Sequence, residues 1–483
     1  MNRPLRRVSI FCIALVLALM GWATWVQAAK AGTYQDDPHN PRVTMAKYAQ
    51  PMGNILVGGE PVTGSTRTDG NLKYKRTYTD GAMYAPVTGF SSQVYGSNQL
   101  ESLYGKLLDG SDSRLTKPGD ALLRQRPKGG DVATTIDKKV QKAGYDALKG
   151  KTGAAVALDP DTGNILGMVS TPSYDPGDFS GSGSSDAKAW QKLSEDPSKP
   201  NVNRALRQPL APGSTFKLVI ASAALENGLY PDVDTPTKSP NPYPLPDSST
   251  VLKNESASAP CKNATIRTAL QYSCNNVFGK MAVDLGADKV KAQAEKFGFN
   301  DKKLDTPVRA AESVYPGGMD KPQTALSGIG QFDDQATPLE MAMVSSAIAD
   351  DGHLMTPQLV DRLTDGGGNT VEAMDPQKYG DPISERTASQ LRSAMQTVVD
   401  KGTGTNAQIP GLAEVGAKTG TAQNGVNNNG TPYAWFVSYA KNKAGNKVAV
   451  AVMVQQSDAA RAEVSGNGLA GPVAKAMMKA ALD

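Results

Sequence analysis

The feature that most restricts this chain is an apolar run near its N-terminus, at residues 8–29. About 20 apolar residues are enough for a helix to cross a bilayer, and a helix satisfies its own backbone polar groups inside lipid. Arg3, Arg6 and Arg7 precede the run. Because positive residues stay on the cytoplasmic side, we expect residues 1–29 to be a cytoplasmic tip and a single membrane anchor, with the remaining chain outside the cytoplasm.

A cleaved secretory signal is the alternative interpretation of the same run. The small-residue spacing around Val26, Gln27 and Ala28 is one that a signal peptidase accepts. The length of the apolar run favours an uncleaved anchor instead. Both interpretations place the chain after Lys30 outside the cytoplasm, so the location of the soluble part does not depend on the choice. With the anchor retained, we expect a single-pass protein of the cell membrane whose catalytic domain is extracytoplasmic.

The composition excludes several classes of protein. The chain has 483 residues and 39% hydrophobic residues, which fits a globular protein of two or three domains. Its two histidines and three cysteines include no pair at metal-ligand spacing, so we expect no metal and no cofactor. The net charge of +4 is spread along the chain without a basic block, which argues against nucleic acid as a partner.

The soluble part changes its sequence character near Gly130. Residues 30–130 contain short runs broken by Gly, Pro and Asn, which predict a small domain of short strands and turns, with one helix near 100–108. Residues 131–483 contain longer periodic segments and are predicted to form one larger domain. The stretch 117–130, with two prolines and a Gly-Gly pair, is the expected boundary.

The larger domain is predicted to be α+β. A hairpin is expected at 153–170 and three successive strands near the C-terminus, with an irregular excursion at 231–261. The simplest arrangement is an antiparallel sheet with helices packed on its faces. The predicted helices are 136–148, 214–226, 388–401 and 472–482, with a further one capped by Thr337, and the three strands are 414–422, 434–440 and 448–454.

A first chemical pattern lies at the start of the helix predicted for 214–226. Ser214 and Lys217 are three positions apart and therefore share one face of that helix. A serine hydroxyl is a weak nucleophile until a base takes its proton, and a lysine can do so if burial or a nearby cation lowers its pKa. The same four-residue pattern occurs at Ser185 and Lys188, in a Gly/Ser-rich stretch that we expect to be a loop, so the pattern alone is not specific.

A second pattern, Ser273-Cys274-Asn275, supplies another hydroxyl and a carboxamide. These groups can relay a proton and hold an amide substrate. Cys274 is either a free small residue or joined to Cys261, since two cysteines outside the cytoplasm can form a disulfide if their geometry allows it.

A third pattern, Lys418-Thr419-Gly420-Thr421, lies on a predicted strand. Its cation can meet a substrate carboxylate, and its glycine lets a ligand approach the backbone closely. Chance matches to the second and third patterns occur at 465–467 and 151–153. Only Ser214, Ser273 and Lys418 give the three patterns in order at a helix start, a short turn and a strand.

Histidine does not supply an alternative base. A Ser-His-Asp triad would need His39 or His353, and both lie in polar turn-like segments typical of surface residues. A serine enzyme built from this chain must therefore use lysine.

At the three patterns the chain resembles the penicillin-binding proteins and serine beta-lactamases, which the combination of Ser-x-x-Lys and Lys-Thr-Gly characterises. The resemblance extends from about residue 131 to the C-terminus, through the segments GAAVALDPDTGNILGMVSTPSYDP, LAPGSTFK, GIGQFDDQATPLEMAMVSSAIADDG and AWFVSYA. The segment YKRTYTDGAMYAPVTGFSSQVYG is similar to the corresponding region of an actinobacterial subgroup of class B, the penicillin-binding proteins A. The resemblance implies a transpeptidase domain preceded by a smaller, dimerisation-like pedestal domain and one membrane anchor.

The activity that the resemblance implies is D,D-transpeptidation. Ser214 would attack the carbonyl between the two terminal D-alanines of a peptidoglycan stem peptide, and an amine on a neighbouring stem peptide would accept the acyl group. Beta-lactams would acylate the same serine. The implied process is cell wall synthesis, with a lean toward cell division, and the implied membrane partners are a glycan polymerase and divisome proteins.

The resemblance also assigns roles to individual residues. Lys217 would be the base for Ser214, Ser273 would carry protons toward the leaving group, and Asn275 would hold the donor peptide. The oxyanion hole would consist of the backbone N–H groups of Ser214 and Thr421. The residues expected to bind the carboxylate end of the substrate are those of the third pattern, Lys418, Thr419, Gly420 and Thr421.

Three alternative functions share this apparatus. A beta-lactamase of the best-known class needs a Glu-x-x-Leu-Asn motif, which this sequence lacks. A D,D-carboxypeptidase transfers the acyl group to water, and a penicillin-sensing receptor retains the acylating serine without turnover. The long region ahead of residue 131 argues against a carboxypeptidase, and a single apolar run argues against a sensor.

Overall fold

The computed structural model describes residues 3–30, 34, 41–116, 126–425 and 428–483. The apolar run forms one helix, Arg3–Trp25, which continues as a π-helical turn over Val26–Lys30. This helix has a mean hydropathy of 2.1 and none of it is buried against the protein, so its length and composition suit a membrane span. His39 and most of the expected boundary stretch lie outside the described residues.

A five-stranded antiparallel sheet forms the centre of the larger domain, as the sequence predicts. The hairpin and the three C-terminal strands join in this sheet because strand Lys447–Gln456 pairs with strand Thr152–Leu158. Across the sheet the strands are ordered Glu414–Ala422, Tyr433–Lys441, Lys447–Gln456, Thr152–Leu158 and Ile165–Thr171. The strand that carries the third pattern is therefore an edge strand.

Alternate residues of these strands point into two cores. Val156 and Leu158 contribute to one core, whereas Ala155 and Ala157 contribute to the other. This alternation is what the period of two in a strand requires when both faces of a sheet are covered by helices.

The helices cover both faces of the sheet. Helix Pro338–Ala349 packs on one face of the sheet, and all of its residues are buried. Helices Lys138–Leu148 and Gly471–Leu482 pack together on the other face. The Thr337 hydroxyl caps the first of these helices by accepting a hydrogen bond from the Glu340 N–H, as predicted. The other helices of the domain are Ser184–Glu195, Arg204–Arg207, Lys217–Glu226, Ile266–Gln271, Asn275–Leu285, Ala287–Phe297, Lys321–Ser327 and Glu385–Lys401.

A second, mixed sheet crosses the expected boundary at residue 130. Strand Asp131–Thr134 pairs in parallel with Ile55–Val57 and antiparallel with Val360–Thr364, and the outer strands are Glu60–Pro61 and Thr370–Ala373. The N-terminal region and the larger domain therefore share one continuous sheet. Short strand pairs elsewhere are Thr63–Arg67 with Tyr74–Tyr78, Ser91–Ser92 with Gly96–Ser97, Tyr243–Pro244 with Val251–Leu252, and Leu354–Met355 with Lys378–Gly380.

The N-terminal region is more helical than the sequence predicts. Helix Gly81–Thr88 forms where Gly81 and Pro86 suggest a turn. A side chain on Gly81 would lie 2.2 Å from a carboxylate oxygen of Asp175, so this glycine permits close packing and does not mark a turn. A short helix at Pro41–Lys47 also precedes the first strand. The single helix expected near 100–108 is two helices, Gln99–Leu103 and Gly105–Leu108, that meet at Tyr104.

The prediction of a loop around Ser185 is wrong. Ser185 and Lys188 lie in the first turns of helix Ser184–Glu195. The carboxylate of Asp186 accepts hydrogen bonds from the N–H groups of Gly181 and Gly183, which fixes the Gly/Ser-rich approach and starts the helix.

Candidate active site

Ser214 lies in a tight turn held between two other segments. The turn Gly213–Phe216 is a 3-10 helix that leads into the buried helix Lys217–Glu226, and Ser214 itself is only 5% exposed. The Gly213 N–H donates to the Gly330 carbonyl at 2.9 Å. Gly330 has a φ of 70°, and a side chain there would lie 2.1 Å from the Gly213 carbonyl oxygen. The serine turn therefore depends on close backbone contact that only glycine allows.

The third pattern packs against the other side of this turn. A side chain on Gly420 would lie 3.0 Å from the Pro212 carbonyl oxygen and 3.0 Å from the Thr215 methyl group. The edge strand Glu414–Ala422 can approach Ser214 because this position has no side chain.

Lys217 connects the first pattern to the second. Its Nζ donates to the Ser273 carbonyl oxygen at 2.7 Å, to the Ser273 Oγ at 3.1 Å and to the Asn275 Oδ1 at 2.7 Å. Among the described residues, the Lys217 amine makes no hydrogen bond to the Ser214 hydroxyl. The amine predicted to serve Ser214 is thus positioned by the second pattern.

Lys418, on the edge strand, also hydrogen-bonds to Ser273. Its Nζ lies 3.0 Å from the Ser273 Oγ and 2.7 Å from the Thr419 carbonyl oxygen. The hydroxyl of Ser273 is therefore shared by two lysines that come from different elements. Ser273 adopts a φ of 56° in the turn between helices Ile266–Gln271 and Asn275–Leu285, which points its hydroxyl and its carbonyl at the lysines.

Both lysines are fully buried, which changes their protonation. Burial holds the pKa of the Lys217 amine well below its ordinary value, and the positive charge of Lys418 lowers it further. Burial lowers the pKa of Lys418 to about 7. A buried amine with a lowered pKa is available as a base at neutral pH. Lys217 needs this property if it is to take the proton of Ser214.

Cys274 and Cys261 form a disulfide, which decides between the alternatives left open by the sequence. Their Cα atoms are 5.6 Å apart and both side chains are fully buried. The disulfide ties the second pattern to the end of the irregular excursion at 231–261. Sequence alone could not decide this pairing because it depends on where that excursion returns.

A cleft of about 470 Å³ opens over Ser214. Among the predicted site residues, Ser214, Asn275 and Thr421 line it, whereas Lys217 and Lys418 are fully buried behind it. Thr419 adjoins these residues on the same strand, and its Oγ1 lies 2.8 Å from the Oγ1 of Thr403. The structure therefore brings the three patterns together around one cavity.

Several residues of the cleft lie outside the three sequence patterns. Asn254, Glu255, Phe332 and Gln423 line it, and Thr403 contacts the third pattern from the loop after helix Glu385–Lys401. Asn254 and Glu255 belong to the irregular excursion at 231–261, whose length is the one sequence signal that could have pointed to a functional segment. His353, which was expected at the surface, is exposed and pairs with Asp381.

Comparison with known proteins follows the same division of the chain. The family described as the penicillin binding protein transpeptidase domain matches residues 153–479, and the penicillin binding protein A dimerisation domain matches residues 52–132. The chain is 37% identical to the peptidoglycan D,D-transpeptidase PbpA of Mycolicibacterium smegmatis, covering 100% of this chain and 99% of that protein. It is 36% identical, with the same coverage, to PbpA of Mycobacterium tuberculosis.

A solved structure is similar in its fold. The penicillin G acyl-enzyme complex of penicillin-binding protein A from M. tuberculosis superposes with a TM-score of 0.82 at 36% sequence identity, covering 90% of this chain and 100% of that one.

Proposed function

The chain belongs to the penicillin-binding protein transpeptidase family, as a class B member similar to penicillin-binding protein A, and from this we propose the following function and mechanism. The protein is a serine-type peptidoglycan D,D-transpeptidase that also binds penicillin covalently. The observation that carries the proposal is the convergence of Lys217 and Lys418 on the Ser273 hydroxyl, behind the cleft that Ser214 lines.

Acylation begins at Ser214. The neutral amine of Lys217 takes the hydroxyl proton while the serine oxygen bonds to the carbonyl carbon of the penultimate D-alanine. The C–N bond to the terminal D-alanine then breaks, and the leaving nitrogen receives a proton through the hydroxyl of Ser273. The 3.1 Å and 3.0 Å contacts of that hydroxyl with Lys217 and Lys418 support this route for the proton.

The charge that develops on the carbonyl oxygen needs hydrogen-bond donors in fixed positions. We assign these donors to the backbone N–H groups of Ser214 and Thr421, both of which belong to residues that line the cleft. Each donor of this kind is worth roughly 3–4 kcal/mol in comparable enzymes. The position of Glu414–Ala422 at the sheet edge supports the assignment, because an edge strand leaves backbone groups free for a substrate.

Substrate binding is assigned to the second and third patterns. The carboxamide of Asn275 holds the donor peptide from the cleft wall, and the hydroxyls of Thr419 and Thr421 receive the terminal carboxylate. Lys418 is fully buried and hydrogen-bonded to Ser273, so it acts on that carboxylate through its charge. Gly420 allows the serine turn to pack closely against the strand.

Release of the acyl group completes the transfer. An amine of a second stem peptide attacks the ester carbonyl carbon, and a new amide forms as the C–O bond to Ser214 breaks. The proton that the amine loses returns to the serine oxygen. The product is a cross-link between two peptidoglycan strands.

The membrane helix fits a single-pass anchor that holds residues 131–483 outside the cytoplasm, with residues 30–130 as a pedestal. The arginines before the helix and the Cys261–Cys274 disulfide support this orientation, because disulfides persist in oxidising compartments. Glycan polymerisation is assigned to a membrane partner of the division machinery, since the two family models that match the chain describe a transpeptidase domain and a dimerisation domain.

Labelling of the full chain in detergent with a fluorescent penicillin tests the proposal. Ser214→Ala should abolish the covalent label, whereas Ser185→Ala should retain it, since Ser185 has the same sequence pattern at another helix start. An amine acceptor added with a D-Ala-D-Ala peptide should then give a transfer product. Absence of a label on folded wild-type protein would remove the proposed function, and hydrolysis without transfer would indicate a carboxypeptidase.

A further inference from the structure

One wall of the active-site cleft is built from a segment that none of the three patterns includes. Residues 251–255 line the cleft together with Ser214 and Asn275. Strand Val251–Leu252 pairs with Tyr243–Pro244, and the side chain of Leu252 is buried. The segment is therefore anchored at its beginning.

The end of the segment is fixed to the second pattern by hydrogen bonds. The Asn254 Oδ1 accepts from the N–H groups of Asn275 at 2.6 Å and Asn276 at 3.2 Å. The Asn275 carboxamide donates to the Lys253 carbonyl at 3.0 Å, and the Asn254 carboxamide donates to the Asn276 Oδ1 at 2.9 Å. These bonds hold Asn254 in a defined place and thereby set the position of the next residue.

That next residue, Glu255, presents a carboxylate to the cleft. Its side chain is exposed, and among the described residues no lysine or arginine lies within ion-pairing distance of it. Its negative charge reaches the buried lysines, where it opposes the effect of burial on the pKa of both Lys217 and Lys418. A carboxylate without a partner in a concave site attracts a cationic group of a ligand.

We propose that Glu255 is a specificity-determining residue that binds the side-chain ammonium group of the donor stem peptide. The inference rests on the proposed transpeptidase function. Cross-linking consumes an amine on a neighbouring stem peptide, so peptides of this kind carry an amine also when they act as donors. At neutral pH that amine is protonated, and a donor lying along the cleft from Ser214 brings it to the wall that ends at Glu255.

A matched pair of penicillins tests the inference without altering the acylating serine. Ampicillin differs from benzylpenicillin by one amino group on the acyl side chain, which occupies the donor side of the site. In the full chain in detergent, Glu255→Gln should lower the ratio of the ampicillin to the benzylpenicillin acylation rate constants by about three- to fivefold, as expected for one exposed ion pair. Any change in the reactivity of Lys217 affects both penicillins and cancels in this ratio.

Two control variants and a salt titration separate a specific contact from a general field. Glu255→Asp should retain most of the wild-type ratio, and Lys253→Gln, which removes a neighbouring positive charge from the same wall, should not lower it. The wild-type ratio should fall as the salt concentration rises, because exposed ion pairs are screened. Two peptides that end in D-Ala-D-Ala, with a free or an acetylated lysine side chain, should show the same preference in the rate of D-alanine release.

An unchanged ratio in Glu255→Gln, for both the penicillins and the peptides, would overturn the inference while leaving the proposed function intact. Failure of both penicillins to acylate the wild-type protein would instead remove the proposed function, and the inference with it.

Discussion

The Nζ atom of Lys418 lies 3.0 Å from the Oγ atom of Ser273, although 145 residues separate them in the sequence. Lys217 approaches the same oxygen at 3.1 Å. Two protonated amines cannot share one buried hydroxyl at low cost, because their charges repel in a medium of low polarity. The protonation of each lysine is therefore coupled to that of the other, and the first prediction follows from this coupling.

Removing the positive charge at Lys418 should shift the pH dependence of acylation. Lys217 acts as a base only when it is neutral, so the acylation rate rises with pH through the pKa of its amine. Lys418 lowers that pKa, and Lys418→Met removes this influence. The acidic limb of the rate profile for benzylpenicillin should therefore move to higher pH, in addition to an overall loss of rate.

Lys418→Arg is the control for this measurement, because it keeps a positive charge at the position. Its profile should not move to higher pH. An unshifted acidic limb in Lys418→Met would mean that the charge of Lys418 does not set the pKa of the base.

Removing the disulfide should destabilise the protein and slow acylation. The bond joins Cys261 and Cys274 across 13 residues of sequence, and closing a loop of this size is worth about 3 kcal/mol. The doubly substituted variant Cys261→Ala/Cys274→Ala should unfold at a lower temperature. It should also react more slowly with penicillin, because Cys274 lies between Ser273 and Asn275.

Cys12→Ala serves as the matched control, since Cys12 is a free, exposed cysteine of the N-terminal helix. It should behave as the wild type in both measurements. Equal melting temperatures for the double variant and the wild type would contradict the stabilising role of the disulfide.

The buried carboxyl group of Asp334 should make the stability of the protein depend on pH. Asp334 accepts a hydrogen bond from Ser327, and its Oδ2 has no partner among the described residues. Burial raises the pKa of Asp334 well above its usual value, so the folded protein holds a proton that the unfolded chain releases above about pH 4. Its contribution to stability is present at low pH and is lost as the pH rises toward the raised pKa.

Asp334→Asn should remove this dependence while keeping an oxygen that accepts from Ser327. The difference in melting temperature, variant minus wild type, should be more positive at pH 8 than at pH 5. Asp333→Asn, at an exposed neighbouring position, should show little of this trend. A constant difference between Asp334→Asn and the wild type at both pH values would mean that the group titrates normally.

Local patterns predicted the central sheet of the larger domain and five of the helices around it, because such patterns report on local physics. The period of two in the C-terminal strands, and the capping of helix Pro338–Ala349 by Thr337, depend on residues a few positions apart. Packing overruled such signals in the N-terminal region. There Gly81 and Pro86 form part of a buried helix, because a glycine is needed where the chain touches Asp175.

The sequence by itself determined the identity and the order of the chemical groups: Ser214 with Lys217 at a helix start, the pair Ser273 and Asn275, and Lys418 on a strand. Their spacing within each pattern is local, so it could be recognised without a structure. Only the tertiary structure decided that two lysines share one hydroxyl, that Cys261 closes on Cys274, and that Glu255 faces the cleft. These contacts join distant parts of the chain, and their geometry is set by the packing of helices and sheet edges, which no local pattern encodes.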